Sequence, residues 1–315
     1  MPPPSLHALP PSPGRTGWPW TEASAPLPER MEDGHAWPRI SVVTPSYNQA
    51  AFLEETIRSV LLQGYPNLEY LVVDGGSTDG SVDIIRRYEP WLAYWVSERD
   101  AGQTAAINKG MSRTTGGILA YLNSDDVYLP DALATVARVL GAGGARWCTS
   151  DVPVMDGTSK RVHYYAAHAP RDWIDQISRI RITTPQPATF WTRDLWERCG
   201  PFDEEMFYSF DFDLFCRFLQ AGCHPALAER PLAALRWHAD TKTSRHRARM
   251  DADDAVIWQR GMRVSGPVDR LRARCVRRWA RSGLRQQCKD AMDRLRRKWS
   301  AFRSRQRIRN RRLGD

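Results

Sequence analysis

Asn123-Ser124-Asp125-Asp126 is the stretch of this sequence best suited to chemistry. It follows Ile118 to Leu122, an apolar run that reads as a buried strand. Two adjacent carboxylates at the end of such a strand repel each other and lose hydration. A divalent cation removes both penalties, and hard oxygen ligands suit Mg²⁺ or Mn²⁺. Taken alone, the same pair also serves as a helix cap or turn.

The surrounding pattern predicts the elements that would position it. Ile40 to Thr44 is a short β-branched run ending at Pro45, a first buried strand. Ala51 to Gln63 carries Phe52, Leu53, Ile57, Val60 and Leu61 at helical spacing. Leu68 to Val73 is a second strand, ending in Asp74-Gly75-Gly76-Ser77-Thr78-Asp79-Gly80, where Ser77 or Thr78 can cap a helix from Val82 to Tyr88. Ala93 to Ser97 reads as a third strand, Ala105 to Met111 as a helix and Ile118 to Leu122 as the fourth strand. Strands alternating with helices predict a parallel, doubly wound α/β sheet. Thr44 to Ser46, Asp74 to Asp79 and Asn123 to Asp126 would then line one edge, at the carboxyl ends of the strands, where ligands bind. Beyond about residue 145 the pattern predicts a strand in Arg146 to Val154, another in Gln186 to Trp191, and a helix from Asp211 to Ala221.

Composition sets further bounds. A chain of 315 residues fits one large domain with appendages. Residues 1–38 hold Pro2-Pro3-Pro4 and Pro10-Pro11 with little periodicity, which predicts a disordered or polyproline-like leader. The six cysteines show no metal-ligand spacing and read as reduced thiols of a cytosolic protein. No apolar run is long enough for a membrane span, and no secretory signal is legible. Residues 263–315 hold 19 Lys and Arg against 4 Asp and Glu, whereas the whole chain is formally +9. The basicity therefore belongs to the tail, and a nucleic-acid role for residues 39–262 gains no support from it. Within the tail, apolar residues recur every three or four positions among arginines, predicting an amphipathic helical extension. Such a helix suits an anionic membrane surface, or folds back on the domain or on another subunit.

Several segments together resemble family 2 inverting glycosyltransferases of the GT-A fold: Ile40 to Ser81, Gly102 to Gly110, Tyr121 to Asp126, Gln186 to Glu204 and Phe210 to Gly222. The resemblance spans roughly residues 38–245. It implies a Rossmann-like GT-A domain with a mostly parallel central sheet, a nucleotide-diphosphosugar donor (most often UDP-linked), and Mg²⁺ or Mn²⁺. By the same resemblance Pro45, Tyr47, Asn48, Asp74, Asn108, Lys109, Asn123 and Ser124 fall at the nucleotide, with Asp100 and Gln103 beside it. Asp125 matches a metal-binding carboxylate, His238 falls against the metal or diphosphate, and Lys242, Ser244 and Arg245 follow it. Trp191 resembles an aromatic at the sugar. Asp211 matches the carboxylate that deprotonates the acceptor hydroxyl. Asp213, two residues on, is its competitor, and on a helix the two point about 200° apart. The chain departs from the family pattern in Asn123 and Phe210, where acids are usual. The implied acceptor is a glycan or a lipid-linked glycan of surface polysaccharide assembly, reached from the cytoplasmic side. A non-catalytic nucleotide-sugar-binding homologue is the alternative; a pyrophosphorylase lacks support because Pro45-Ser46-Tyr47-Asn48 stands where a glycine-rich phosphate loop is needed.

Overall fold

The computed structural model describes residues 3–141, 143–178, 184–238, 241 and 247–281. Its central sheet has seven strands. They are β1 (Ile40–Ser46), β2 (Leu68–Asp74), β3 (Tyr94–Ser97), β4 (Ile118–Tyr121), β6 (Trp147–Thr149), β9 (Phe190–Thr192) and β10 (Ala226–Leu227), in the order β10-β6-β9-β4-β1-β2-β3. β1 pairs in parallel with β2 and with β4, and β2 with β3. All of β1 is buried, as a strand covered on both faces must be, with Ile40, Val42 and Val43 in the core and Ser41 and Thr44 buried as well. The connecting helices are α1 (Ala50–Leu61), α2 (Ser81–Tyr88), α3 (Gln103–Met111) and α4 (Ala132–Gly141). α3 lies very close to the sheet: a Cβ added at Gly110 would stand 2.4 Å from Val43 Cγ1, so only glycine fits there.

The segment after residue 145 divides differently from its sequence pattern. Arg146 to Val154 is two strands, β6 and β7 (Val152–Met155), in different sheets. Gln186–Ala188 is a 3-10 turn, and only Phe190–Thr192 is extended, inserted antiparallel between β4 and β6. A second sheet, ordered β5-β11-β7-β8, joins β5 (Val127–Tyr128), β11 (Ala233–Arg236), β7 and β8 (Arg161–Tyr165). The remaining helices are α5 (Trp173–Ile177), α6 (Arg193–Cys199), α7 (Phe210–Gln220), α8 (Arg247–Val264) and α9 (Pro267–Arg281). Among the described residues no helix is long and apolar enough to cross a membrane.

The predicted disordered leader is corrected. Residues 3–38 have little regular structure, as the prolines dictate, yet they strap down against the domain. Leu9, Trp20 and Trp37 are buried, and the Trp18 indole donates to the Tyr128 carbonyl at 2.8 Å. The Arg58 guanidinium, itself buried, donates to the carbonyls of Pro10, Pro19 and Trp20. Residues 1–261 make one compact unit; a second begins at Met262, and its described part is the end of α8 and α9. The rest of the predicted amphipathic tail, beyond residue 281, lies outside the described residues.

Candidate active site

Parallel pairing brings the ends of β1, β2 and β4 to one edge of the sheet. The loops leaving them carry Tyr47, Asp74 and Asn123. Pro45 is buried within β1, opposite Val73. Tyr47 is 63% exposed and offers its ring at this edge. Asn48 adopts a left-handed φ of 51°, which asparagine tolerates better than most residues. Its Oδ1 accepts from Thr78 N–H at 2.9 Å, and its N–H donates to Ser77 Oγ at 2.8 Å. Asn48 thus ties the β1 loop to the β2 loop.

Asp74 ends β2 fully buried. Its carboxylate accepts from Gly76 N–H (3.1 Å), Ser77 N–H (2.8 Å), Ser77 Oγ (2.6 Å) and Ser97 Oγ (2.7 Å). Oδ2 takes three of these bonds and Oδ1 one, so the carboxylate ties its own turn to the end of β3. Asp74 thus shapes the loop at the place where the nucleotide is expected. The predicted cap on α2 is also corrected: Ser77 binds Asp74, and the N-cap is Gly80 without a side-chain bond. Asp79 accepts from Ala50 N–H at the start of α1 and from the Ser81 hydroxyl and N–H. Burial opposes its charge, but those donors outweigh burial and hold its pKa below the usual value. Beside this loop a hollow of about 610 Å³ opens among Ser77, Val82, Arg86, Trp95, Val96 and Ser97.

The α3 residues divide. The Asn108 amide donates to the Phe202 carbonyl and to Glu204, and its Oδ1 accepts from Phe202 N–H, so it ties α3 to the 202–204 loop. Lys109 pairs with Glu98 at 2.7 Å, a hydrogen bond that raises its pKa and lowers that of Glu98. Asp100 accepts from Gly102 N–H at 2.9 Å. Gln103 faces the β4 loop and donates to Asn123 Oδ1 at 2.7 Å.

Asn123 is the middle of an amide chain. Its Nδ2 donates to Gln186 Oε1 at 3.2 Å, and Gln186 donates to the Tyr121 carbonyl at 2.8 Å. An acid at 123 could not donate to Gln186 and would crowd Asp125 and Asp126, which accounts physically for the amide here. Ser124 is buried. Asp126 is buried too, with Oδ1 accepting from Arg236 N–H at 2.8 Å. Burial, and then the neighbouring Asp125 charge, push its pKa well up.

Asp125 and His238 meet. β11 runs antiparallel to β5, with Ala234 opposite Val127, so the chain leaving β11 passes back along Asp126 and Asp125. His238 Nε2 lies 3.1 Å from Asp125 Oδ2. Beneath them is a buried cation that the sequence reading passed over. Arg236 donates to the Asp125 carbonyl (2.7 Å), to Ser159 Oγ (2.9 Å) and to Glu55 Oε2 (2.9 Å). Phe52 of α1 packs against both Arg236 and His238, with ring or guanidinium centres 4.8 Å away in each case. Removing one member of a buried ion pair costs about 3–5 kcal/mol, so Arg236 and Glu55 hold the loop firmly.

Asp211 stands half-buried at the first turn of α7, whose Phe210 packs on Tyr121 and Phe202. The Tyr121 hydroxyl is pushed well up in pKa, first by burial and then by the charge of Asp211. Asp213 points the other way and is buried, bound by Arg217 at 2.8 Å and Arg260 at 3.2 Å. Asp253 of α8, also missed in the sequence, accepts from the Tyr208 and Ser209 N–H groups and fixes the entry to α7. Trp191 is corrected from a sugar-site aromatic to core: it is fully buried, near Trp196, Phe202 and Phe218. Lys242, Ser244 and Arg245 lie outside the described residues.

Among the described residues no three His, Cys, Asp or Glu side chains converge as a complete metal cage. The donor set nonetheless fits one ion. Asp125 supplies a carboxylate whose Oδ1 has no hydrogen bond among the described residues, and His238 supplies an imidazole nitrogen. Mg²⁺ and similar ions are commonly held by one or two carboxylates together with substrate phosphates.

Known proteins now give this edge a context. S. aureus TarS in complex with UDP-GlcNAc shares the fold at TM-score 0.54 and 17% identity, over 66% of this chain and 61% of that one. A mannosyltransferase, PcManGT from Pyrobaculum calidifontis in complex with GDP-Man and Mn²⁺, gives 0.53 and 23%, over 73% and 65%. The fold is therefore that of the GT-A glycosyltransferases. The model for Glycosyl transferase family 2 matches residues 41–197. A PGL/p-HBAD biosynthesis glycosyltransferase of Mycobacterium bovis is 36% identical over 201 residues, 62% of this chain and 74% of its own length. The putative teichuronic acid biosynthesis glycosyltransferase TuaG of Bacillus subtilis is 40% identical over 99 residues, 30% of this chain and 39% of its own. The glycosyltransferase alr2836 of Nostoc is 29% identical over 174 residues, 52% and 54%. The chain belongs to glycosyltransferase family 2, and its match spans 39% of the length of TuaG and 54% of that of alr2836.

Proposed function

We propose that this chain is a metal-assisted, inverting glycosyltransferase that moves a hexosyl or acetylhexosaminyl group from a nucleotide-diphosphosugar to an acceptor hydroxyl. The observation that carries the reading is the Asp125–His238 pair at 3.1 Å, at the carboxyl edge of the sheet, with half-buried Asp211 near Tyr121 of the same edge. Tyr47 offers a ring to the base, and the loop fixed by Asn48 and Asp74 borders the nucleotide. Lys109, paired with Glu98, lies towards the rim. Asp125 and His238 would hold Mg²⁺ or Mn²⁺, and the ion would supply positive charge to offset that of the leaving diphosphate. Asp211 takes the proton of the acceptor hydroxyl. The acceptor oxygen then bonds to the anomeric carbon as the bond to the diphosphate breaks on the opposite face, which inverts the configuration.

A UDP-linked donor is favoured by the UDP-GlcNAc complex of TarS, while the GDP-Man complex of PcManGT keeps other nucleotides in the assay. The teichuronic acid and PGL/p-HBAD relatives favour a surface glycan or lipid-linked acceptor. The test is a melting panel with each nucleoside diphosphate, with and without Mn²⁺, on the wild type and Asp125→Ala. A ligand at about 100 times its Kd adds about 2.7 kcal/mol to stability. One nucleotide should raise Tm in a Mn²⁺-dependent way, and Asp125→Ala should abolish that rise. A panel with no shift for any nucleotide overturns the donor site.

A further inference from the structure

α9 carries an exposed apolar stripe. Val268, Leu271 and Cys275 recur at spacings of three and four, which at about 100° per residue puts them within one narrow arc. Val268 is 79% and Leu271 64% exposed, and Cys275 is exposed as well. Ala273, on the opposite side of the helix, is fully buried. Val264, which ends α8 just before, is 68% exposed. A helix of a globular domain normally buries such a stripe and exposes its small or polar side; here the arrangement is reversed.

The charges say what the stripe is for. Residues 263–278 contain six arginines and one acid, Asp269. By helical spacing Arg274 and Arg278 flank the apolar arc on one edge and Arg272 on the other. From 282 to 315 the sequence adds twelve Lys and Arg against three Asp and Glu. A second copy of this chain would bring the same positive charge to the stripe and be repelled. RNA would answer the arginines and leave the aliphatic arc without a partner. An anionic bilayer surface answers both, with acyl chains for the arc and headgroups for the flanking guanidinium groups. We propose that α9 docks the protein in the plane of a membrane rich in acidic lipids. The proposal stands whether or not the transfer chemistry above is correct.

The experiment is vesicle co-sedimentation of the full chain. Phosphatidylcholine vesicles are compared with mixed phosphatidylcholine–phosphatidylglycerol vesicles, at low and raised salt. The wild type should pellet with the mixed vesicles only, and less so as salt rises. Val268→Asp/Leu271→Asp should weaken binding at least tenfold, and Arg274→Gln/Arg278→Gln should weaken it and flatten the salt dependence. Because the altered side chains lie at the surface, Tm should match the wild type. Should the double variant melt early, Val268→Ser/Leu271→Ser replaces it. Wild-type protein that stays in the supernatant with acidic vesicles overturns the proposal. So does undiminished pelleting of both apolar variants. Two other results overturn it as well: retention by homopolymeric RNA with no vesicle binding, and a sedimentation-velocity dimer that only the apolar variants dissociate.

Discussion

Asp211 and Asp213 are two positions apart and have opposite surroundings. Asp213 is buried between Arg217 and Arg260, where its charge is already answered. Asp211 is half-buried at the first turn of α7, its field reaches Tyr121, and the proposed function makes it the base for the acceptor hydroxyl. Asp211→Asn should therefore lower turnover by about 10²–10⁴, the range for losing a positioned base, with Tm unchanged. Asp213→Asn should instead lower stability by about 3 kcal/mol, because Arg217 loses its buried counter-charge and Arg260 is left with Asp203 alone. Nucleotide release and thermal melting on both variants separate the roles; a turnover loss at Asp213 with normal Tm would reverse them. The type and spacing of Asn123 to Asp126 were readable in the sequence, and so was a candidate base in the Phe210 to Asp213 stretch. The partners were not. Glu55 and Arg236 are 181 positions apart, and only the packing of α1 on β5 together with the β5–β11 pairing brings them together. Asp74 and Asn108 were named for ligands; that Asp74 also binds its own loop and β3, and Asn108 the 202–204 loop, is something residue type alone does not carry.

At the level of elements, the parallel half was legible because buried strands and amphipathic helices differ in period. The edge opposite the candidate site is held by another carboxylate. Glu69 of β2 accepts from Ser41 Oγ of β1 at 2.5 Å, and from Thr115 N–H (2.6 Å) and Oγ1 (2.7 Å) before β4. One side chain thus clamps three adjacent strands. Burial works against the Glu69 charge, but the hydroxyl of Ser41 and the two Thr115 donors, with Arg39 nearby, outweigh it and bring its pKa below the usual glutamate value. A carboxyl more acidic folded than unfolded stabilises the fold above the unfolded pKa, and that contribution disappears as pH falls through the folded one. Glu69→Gln should cost about 1–3 kcal/mol at neutral pH, as expected for hydrogen bonds to a charged group. Melts recorded from pH 7 downward should show the wild-type and variant curves converging below the ordinary glutamate range. Parallel curves through that range would mean that the clamp does not depend on charge.

Over the whole molecule, the sequence pattern misleads most where aromatic anchors are isolated. Residues 3–38 read as a leader because prolines interrupt every period, and Trp18, Trp20 and Trp37 fit no helix or strand template. The structure shows what such a segment does: it supplies backbone carbonyls to a cation that the domain cannot otherwise satisfy. Arg58 of α1 gives its guanidinium to three strap carbonyls and to the Tyr88 hydroxyl, which donates onward to Glu54. The strap continues along Leu62, whose carbonyl accepts from Ser24 N–H, and past Gly64, where an added Cβ would stand 2.5 Å from the Ala25 carbonyl oxygen. α1 also carries Phe52 and Glu55 beneath the Asp125–His238 pair, so strap and candidate site share a helix. Arg58→Ala would leave buried carbonyls without donors, at about 1–3 kcal/mol each before relaxation. The expected outcome is loosening of the strap, seen as faster tryptic cleavage after Arg15 and Arg30 with the domain core still resistant. Mass spectrometry of a digestion time course reads this directly. Cleavage at the wild-type rate would show that the buried tryptophans alone hold the segment and that the Arg58 bonds are incidental to its docking.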